Sequence, residues 1–351
     1  MTGLKIGYSP LSTNMKSAGD RRRLVFWAEA RGHSVVTDLS KKVDLLIVSE
    51  NSDFNLPAFN QERIPVIFDL VDAYLSPLNS IDDLARGVAK KFAGQISGGI
   101  KPFSHHVRDF CKKSNAVICS SVEQKEVIRK YNQNTHIILD SHEEIPMNNF
   151  SLEPRKPSQS QHILWEGLPA TIPGVGQISS VLSNLAETFN LQLDFITNER
   201  YFQYMNKFLE RETFKLLKSN LGGLADRINV VPWSPENLVT RAQVSSLAII
   251  PINLSIPMQR LKPENRLLIM WRLGLPCLAS ASPAYSRVAL LAGADVVCND
   301  LEEWKIKSTR ILADRDYAKQ QVTNGQNYLR ENHSQSTILN KWDRAIESVM
   351  R

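Results

Sequence analysis

The feature that most constrains this chain is a repeated alternation of short apolar runs with amphipathic segments. Runs such as VDLLIVSE and IPVIFDLVD carry apolar residues at consecutive positions, which is typical of parallel strands buried on both faces. Amphipathic segments such as RRRLVFWAEARG lie between such runs. The alternation predicts βαβ units, a parallel sheet and helices on both of its faces.

The pattern occurs twice, on either side of the polar, proline-containing stretch PMNNFSLEPRKPSQSQ. We therefore predict an α/β fold of two tandem Rossmann-like, doubly wound domains with an interdomain cleft. We also predict one long helix over ERYFQYMNKFLERETFKLLKSN. The predicted parts are a first domain, a linker, a second domain and a C-terminal helix that packs back on the first domain, over residues 1–148, 149–161, 162–332 and 333–351.

Composition narrows the class of protein. Hydrophobic residues make up 42% and charged residues 22% of the 351 residues, which is typical of a globular chain. No apolar run reaches the roughly 18–20 residues of a membrane span. The N-terminal MTGLKIGYSP enters a strand pattern without a signal peptide, so we expect a cytoplasmic protein. The four cysteines form no CxxC pair, and we expect reduced structural thiols and no metal site.

The basic character of the chain limits its partners. A net charge of +6 and a pI of about 9.1 are compatible with nucleic acid, anionic lipid or a nucleotide-phosphate substrate. Neither zinc-finger spacing nor an aromatic RNA-binding signature favours nucleic acid, so we expect none. Peripheral association with an anionic membrane surface, at the inner face of the cell membrane, stays open.

The segment QRLKPENRLLIMWRLGLPCLASASP is the main candidate site. It predicts a helix with Pro263 at its first position and Gly274 as its end. A helix N-terminus presents free N–H groups and partial positive charge, and Lys262 and Arg266 lie beside this one. Together they would hold a phosphate or diphosphate. The alternative is an ordinary capped helix with two surface cations.

Polar residues after the first-domain strands are further candidates. Gly19 would let the backbone approach a ligand and Arg21 would reach an anion, or both belong to a flexible loop before a basic helix. Asp69 and Asp72 end a buried strand, where a carboxylate acts as a base, holds a sugar hydroxyl or caps a helix. His106 is either an acid or base in a cleft or half of a surface pair.

The second domain offers other candidates. Glu166 ends its first strand, where it either contacts substrate or lies in water. Ser234 is placed to cap a helix. Gly174-x-Gly176-x-x-Ser179 approaches the dinucleotide fingerprint but lacks its third glycine, so it argues little for a nicotinamide cofactor. Asp314-x-Asp316 is interpreted as capping and turn chemistry.

Longer blocks resemble a known family. AEARGHSVV, NAVICSS, INVVPWSPENLVTRAQVSSLAIIPI, KPENRLLIMWRLGLPCLAS and AGADVVCNDLEEW are similar to blocks of the GT-B glycosyltransferases, in particular the bacterial group-1, family 4-like sugar-nucleotide transferases. The family's K-x-x-N-R run and its A-x-G-x-P-V-V-A ending match this chain at Lys262, Asn265, Arg266, Gly274 and Pro276.

The resemblance implies a transferase that moves a sugar from a nucleoside-diphosphate sugar to a glycan or lipid-linked acceptor, usually with retention and without a metal. The donor is then a co-substrate, and no cofactor is implied. The second domain would bind the donor and the first the acceptor, in surface polysaccharide or related glycan synthesis. The candidate catalytic residues are Asp72 and His106, from their positions in the sequence, and Glu264, which the resemblance places near the sugar or phosphate. The donor-binding residues that the resemblance implies are Gly19, Trp233, Ser234, Lys262, Asn265 and Arg266, and the sequence positions add Arg21, Glu166 and Arg260.

Two departures from the family keep alternatives open. Many members have a glutamate where this chain has Ile269, and a cation after the glycine that corresponds to Gly167, which Leu168 follows here. A non-catalytic sugar-nucleotide or glycan-binding relative is therefore one alternative. An epimerase or a phosphorylase on the same scaffold is another.

Overall fold

The computed structural model describes most of the chain, as two compact units. The described residues are 3–52, 54, 64–76, 80–92, 94, 96, 99–150, 160–203 and 209–350, so most of the predicted linker lies outside them. One unit comprises Met1–His142, Leu261–Pro263 and His333–Arg351, and the other comprises Glu143–Arg260 and Glu264–Asn332.

The described residues of the first unit form a six-stranded, all-parallel sheet of order β2-β1-β3-β4-β5-β6. The strand order reverses beside β1, so a ligand crevice is expected outside the carboxyl ends of β1 and β3. The strands are β1 (Lys5–Ser9), β2 (Ser34–Val36), β3 (Leu45–Ser49), β4 (Val66–Leu70), β5 (Ala116–Cys119) and β6 (Thr135–Ile137).

Both faces of this sheet are covered, as the continuous apolar runs predict. On one face, Ile47 belongs to the same core as Trp27 and Trp342, whose rings stack with centroids 5.9 Å apart. On the other face, Phe68 packs edge-on against Phe110 at 4.8 Å. Alternate side chains of a strand point to opposite faces, so only apolar residues at consecutive positions satisfy two cores.

The described residues of the second unit contain another six-stranded parallel sheet, of order β11-β8-β7-β12-β13-β14, and a separate antiparallel pair, β9 and β10. This sheet's order reverses between β7 and β12, which places its expected ligand crevice outside the carboxyl ends of those strands. The strands are β7 (Gln161–Glu166), β8 (Leu191–Thr197), β9 (Arg200–Gln203), β10 (Leu209–Glu212), β11 (Ile228–Pro232), β12 (Leu247–Ile250), β13 (Cys277–Ser280) and β14 (Val297–Cys298). The predicted pair of doubly wound sheets is confirmed.

Helices connect the strands of both units. In chain order they are α1 (Ala18–Asp20), α2 (Phe26–Arg31), α3 (Ser80–Phe92), α4 (Phe103–Lys113), α5 (Val122–Ile128), α6 (Ile172–Gly176), α7 (Ser179–Thr188), α8 (Thr213–Leu221), α9 (Pro235–Val244), α10 (Pro257–Arg260), α11 (Asn265–Arg272), α12 (Pro283–Ala292), α13 (Leu301–Ala313), α14 (Arg315–Asn332) and α15 (Gln335–Met350), with a π-helical turn at Arg21–Val25 and 3₁₀ turns at Pro169–Thr171 and Gly222–Arg227. Within the described part of the chain, none combines the length and apolar character that crossing a bilayer requires.

The long helix predicted from Glu199 to Asn220 is wrong in its first half. Arg200–Gln203 and Leu209–Glu212 instead form the antiparallel pair β9 and β10, and the helix begins only at Thr213. Arg200 and Glu210 lie on opposite strands with Nη1 and Oε2 2.8 Å apart. Aromatic residues and cross-strand charge pairs stabilise a ribbon of this kind, and a helical period does not detect them.

The helix of the candidate segment begins later than predicted. Pro263 is not its first residue, because Leu261–Pro263 packs with the first unit, whereas helical geometry starts at Asn265. The predicted end at Gly274 is confirmed, with a left-handed φ of 72°. A Cβ atom there would lie 2.6 Å from the carbonyl oxygen of Asn149, so glycine is required by space as well as by φ.

All four cysteines lie among the described residues, and all are buried and free. Burial raises the pKa of Cys111, Cys119 and Cys298 to about 12, so their thiols stay protonated. The predicted role as reduced structural thiols is consistent with these sites.

A buried ion pair joins the first helical segment to β4. Asp69 is 1% exposed and accepts hydrogen bonds from Arg23 Nε at 2.9 Å and Nη2 at 2.5 Å. Arg23 also donates from Nη1 to the carbonyl of Ile138 at 2.7 Å and lies 3.3 Å from Asp140. Asp69 therefore neither faces a crevice nor caps a helix, contrary to both sequence interpretations.

We predict that Arg23→Met lowers the free energy of unfolding of the first unit by about 3–5 kcal/mol, because it leaves a buried carboxylate without its cation. The measurement is denaturant unfolding followed by circular dichroism. Arg31→Met is the matched control: Arg31 pairs with Asp343 but is 35% exposed, so its loss costs less than about 1 kcal/mol. Equal effects of the two substitutions would contradict the prediction.

Candidate functional site

Three of the residues predicted to bind a donor meet at the carboxyl end of β7. Glu166 is the last residue of that strand, and its Oε1 accepts a hydrogen bond from Trp233 Nε1 at 2.8 Å. The main-chain oxygen of Glu166 accepts a second bond, from Arg266 Nη1 at 3.1 Å. The strand end thus orients both an indole ring and a guanidinium group at the edge where doubly wound sheets bind ligands.

Helix α11 holds Arg266 at this place. Its residues Leu267 to Trp271 are all buried, which anchors the helix and fixes the direction of its first turn. Gly325 makes this packing possible, because a Cβ atom there would lie 2.1 Å from Trp271 Cδ2. The N-terminus of α11 leaves backbone N–H groups without intrahelical partners, and these favour an anion.

A tyrosine that the sequence analysis did not single out lies next to Arg266. Tyr285 is 1% exposed, and burial raises the pKa of its hydroxyl to about 12, whereas the neighbouring Arg266 opposes that rise. The sequence does carry a signal for it. Ser282 followed by Pro283 after the strand PCLAS predicts a helix that starts at the carboxyl edge of the sheet, and Ser282 Oγ does accept the Tyr285 N–H at 3.3 Å.

Glu264 occupies the N-cap position of α11 and is 4% exposed. Its Oε2 lies 3.6 Å from Nη2 of Arg287, a second residue that the sequence analysis missed. This buried carboxyl group therefore lies beside Arg287 and two residues before Arg266 in the sequence. Its predicted catalytic role stays a prediction.

The remaining predicted donor-side residues are less closely tied to this cluster. Asn265 is the first residue of α11, and its buried Oδ1 lacks a hydrogen-bond partner among the described residues. Arg260 is exposed at the end of α10. Ser234 caps α9 as predicted, by accepting the Asn237 N–H at 3.0 Å. The predicted contact between Ser234 and a nucleotide base stays a prediction.

In the first unit, Gly19 is explained by packing. A Cβ atom at Gly19 would lie 2.3 Å from Leu11 Cδ1, so a larger residue there requires the Leu11 side chain to move. Asp20 holds the loop that follows β1 by accepting bonds from Tyr8 Oη at 2.6 Å and from the Leu11 N–H at 2.8 Å. Arg21 donates from Nη1 to the carbonyl of Lys16 at 3.0 Å. The loop is thus held by hydrogen bonds to Asp20 and Arg21.

Asp72 and Lys262 lie together within the first unit. Lys262 Nζ is 3.7 Å from Asp72 Oδ1, and each side chain is about one-third exposed, at 35% and 33%. The Asp72 N–H donates to Oε2 of Glu50 at 2.7 Å. Glu50 follows β3 and is 4% exposed. Burial, then repulsion from Asp72, raises the pKa of Glu50 well above its ordinary value.

His106 is 8% exposed on α4, which contradicts the alternative of a surface pair. Burial, followed by the charge of Lys101, lowers its pKa. The imidazole is therefore neutral at pH 7 and able to accept a proton. A catalytic role for it stays a prediction.

Two sequence motifs are settled by their surroundings. Gly174 and Gly176 lie inside α6, and a Cβ atom at Gly174 would lie 2.7 Å from the carbonyl oxygen of Pro251. They therefore serve helix packing rather than a phosphate-binding turn. Asp314 accepts the Tyr317 N–H at 2.9 Å at the start of α14, which confirms the interpretation as helix capping. In the described part of the chain, no group of three or more potential metal ligands is found.

Comparison with solved structures shows the fold. The chain is similar to Anabaena HepE in complex with UDP and glucose, with a TM-score of 0.64 and 12% identity over 98% of this chain and 100% of that one. A glycosyltransferase from Rickettsia africae matches with a TM-score of 0.62 and 12% identity over the whole of both chains. A sucrose-phosphate synthase from Thermosynechococcus elongatus matches with a TM-score of 0.58 and 14% identity over 88% of this chain and 74% of that one.

No family model matches the sequence, and no curated protein matches it. The relationship is therefore visible in the fold alone. The structural likenesses confirm the predicted arrangement of two tandem Rossmann-like domains of the GT-B type.

The environment of Glu50 predicts a pH dependence. The pKa of Glu50 is raised in the folded state. Its contribution to the free energy of unfolding is therefore fully present below about pH 4.5, the pKa in the unfolded chain, and is lost as the pH rises towards the pKa in the folded chain. We expect Glu50→Gln to match the wild type near pH 4 and to melt at a higher temperature near pH 8. Thermal unfolding across pH measures this. The exposed Glu126→Gln is the control, and parallel curves for wild type and Glu50→Gln would refute the prediction.

Proposed function

We propose that this chain is a glycosyltransferase that moves a sugar from a nucleoside-diphosphate sugar to a glycan or lipid-linked acceptor. The fold likeness to known glycosyltransferases supports a transferase. One of those structures contains UDP and glucose. The observation that carries the proposal is the placement of Arg266, Trp233 and Glu166 at the carboxyl edge of the second unit's sheet.

The chemistry of the reaction explains why these groups suit it. When a sugar leaves a diphosphate, negative charge develops on the leaving phosphate. Arg266 and the first N–H groups of α11 are fixed by packing and stabilise that charge without reorganisation. Trp233 offers a flat apolar surface to a base, and its bond to Glu166 holds the ring in one orientation.

We propose a reaction with retention at the anomeric carbon and without a metal, in surface polysaccharide or related glycan synthesis at the inner face of the cell membrane. Arg266 and Arg260, both in the second unit, supply positive charge from the chain itself, and this supports metal independence. No cofactor other than the sugar nucleotide is proposed. The membrane location is supported by the net charge of +6.

On the acceptor side we propose that Asp72 accepts a proton from an acceptor hydroxyl or orients that hydroxyl. Its position after β4 and its partly exposed side chain, one-third accessible, support this role. His106 is the second candidate there, because burial keeps it neutral.

Ile269 favours a second candidate function, a non-catalytic sugar-nucleotide or glycan binder. The side chain is 3% exposed in the packed face of α11, so this chain has apolar core where many relatives carry a glutamate. Nucleotide binding without transfer to any of a broad panel of acceptors would favour the binder. Turnover of the donor without an acceptor would indicate an epimerase, and a requirement for inorganic phosphate would indicate a phosphorylase.

We predict that Arg266→Ala weakens binding of UDP or another nucleoside diphosphate by about 10- to 100-fold, because a charge-assisted hydrogen bond to phosphate is lost. Titration calorimetry measures the Kd. Arg330→Ala is the matched control, since Arg330 is an exposed cation on α14 that bonds Asn327. An unchanged Kd for Arg266→Ala would overturn the donor-site assignment.

We predict that Asp72→Asn lowers kcat by about 10²- to 10⁴-fold, because the amide cannot accept a proton, while the Kd for the nucleoside diphosphate changes little. Transfer to a glycan acceptor and calorimetry measure the two quantities. The exposed Asp82→Asn is the control. A fall in nucleotide affinity with unchanged kcat would exclude Asp72 as an acceptor-side base.

A further inference from the structure

Glu166 lies between two residues that reach it from opposite sides of the second unit's sheet. In the strand order β11-β8-β7-β12, Glu166 ends β7, whereas Trp233 follows β11 on one side and Arg266 follows β12 on the other. The Trp233 Nε1–H donates to Glu166 Oε1 at 2.8 Å, and Arg266 Nη1 donates to the Glu166 main-chain oxygen at 3.1 Å. An indole, a carboxylate and a guanidinium group therefore follow one another along the carboxyl edge of this sheet.

The Glu166 carboxylate has hydrogen-bonding capacity left for a ligand. Within the described part of the chain, no lysine, arginine or histidine nitrogen lies within 4 Å of its oxygens, and the bond from Trp233 is the one that its side chain accepts. Glu264 at the same edge differs, because Arg287 Nη2 lies 3.6 Å from its Oε2. An ionised carboxylate offers about four lone-pair sites and accepts only. Glu166 therefore fits a ligand group that donates hydrogen bonds.

That ligand group carries hydroxyls rather than negative charge, because a second anion beside the carboxylate would be repelled. In a nucleoside diphosphate the ribose lies between the base and the diphosphate, as Glu166 lies between Trp233 and Arg266. With a base on the indole and a phosphate at the guanidinium group, the part of the nucleotide that meets Glu166 is its ribose. In dinucleotide-binding sheets of the doubly wound class, an acidic side chain binds a ribose hydroxyl in the same way.

We propose that Glu166 recognises the ribose of the donor and restricts the donor to ribonucleoside-diphosphate sugars. Its carboxylate accepts hydrogen bonds from the neighbouring 2′- and 3′-hydroxyls, a pair that deoxyribose lacks. Sugars activated by a deoxyribonucleoside diphosphate are therefore poor donors, whichever base the site prefers. The inference deepens the proposed function, on which it rests, by naming the class of nucleotide that the donor carries.

The test is titration calorimetry of the full chain with UDP, ADP and GDP, each beside its 2′-deoxy counterpart. For the base that binds most tightly, we expect the 2′-deoxy nucleotide to bind about 10- to 100-fold more weakly, because a hydrogen bond to a charged acceptor is lost. Glu166→Met removes the acceptor, so the ratio of the two Kd values falls close to one.

Trp233→Phe is the matched control, because it removes the same bond between indole and carboxylate but keeps the carboxylate. Both nucleotides bind this variant more weakly, and the ratio of their Kd values stays as in the wild type. Similar Kd values of the two variants for the 2′-deoxy nucleotide show that Glu166→Met folds. Glu187→Met, at an exposed position of α7, leaves both Kd values unchanged.

Two results would overturn the ribose assignment and leave the proposed glycosyltransferase standing. These are equal binding of the ribonucleotide and the deoxyribonucleotide to the wild type, and an unchanged ratio in Glu166→Met. A ratio that falls equally in Trp233→Phe would assign the selectivity to the indole instead. Binding of none of the three nucleoside diphosphates would remove the donor site, and the inference with it. Discrimination without transfer to any acceptor would support the ribose assignment in a non-catalytic binder.

Discussion

Parallel pairing brings the carboxyl ends of all strands of a sheet to one edge, and the chemistry of this chain depends on that constraint. In the second unit, Glu166 ends β7 and α11 follows β12, the two strands between which the order reverses. Arg266 reaches the main-chain oxygen of Glu166 over a separation of 100 residues in sequence. The N-terminus of α11 and the oriented indole of Trp233 thus lie at the same edge of the sheet, because both follow strands of one parallel sheet.

The first unit treats its buried ionisable groups in two different ways. Arg23 and Asp69 satisfy each other, and the remaining donors of Arg23 are taken by Ile138 and Asp140. Glu50 receives the Asp72 N–H but lies beside carboxylates, so its protonated form is favoured. The first arrangement holds the sheet and its helices together. The second leaves the titratable carboxyl group of Glu50 hydrogen-bonded to the main-chain N–H of Asp72.

Most of the fold could be predicted from local pattern. The apolar runs located the parallel strands because a strand buried on both faces needs apolar residues at every position. The cap at Ser234 and the end at Gly274 were also readable, because they depend on backbone geometry within a few residues. The β9–β10 ribbon was missed, since its stabilising pair of Arg200 and Glu210 crosses two strands.

The candidate site was predictable only in part. Glu166, Trp233 and Arg266 were recognised from strand ends and family blocks, whereas Arg287 and Tyr285 were not. Asp69 and Asp72 illustrate the difficulty. They are three residues apart in sequence, but Asp69 is 1% exposed in an ion pair, whereas the Asp72 side chain is 33% exposed. The two residues differ because Arg23, 46 residues away in sequence, pairs with Asp69 inside the protein.

The sequence by itself determined the periodicity of the elements, and therefore the two doubly wound sheets and the edges at which ligands bind. Only the tertiary structure decided which polar groups those edges retain and which way α3 faces. The physical reason is that backbone preference and apolar period are local properties, whereas the partner of a buried charge is set by distances between residues far apart in the chain. Asp83 and Ser104, 21 residues apart, hold α3 in an orientation that leaves Ile81 and Phe92 exposed to solvent.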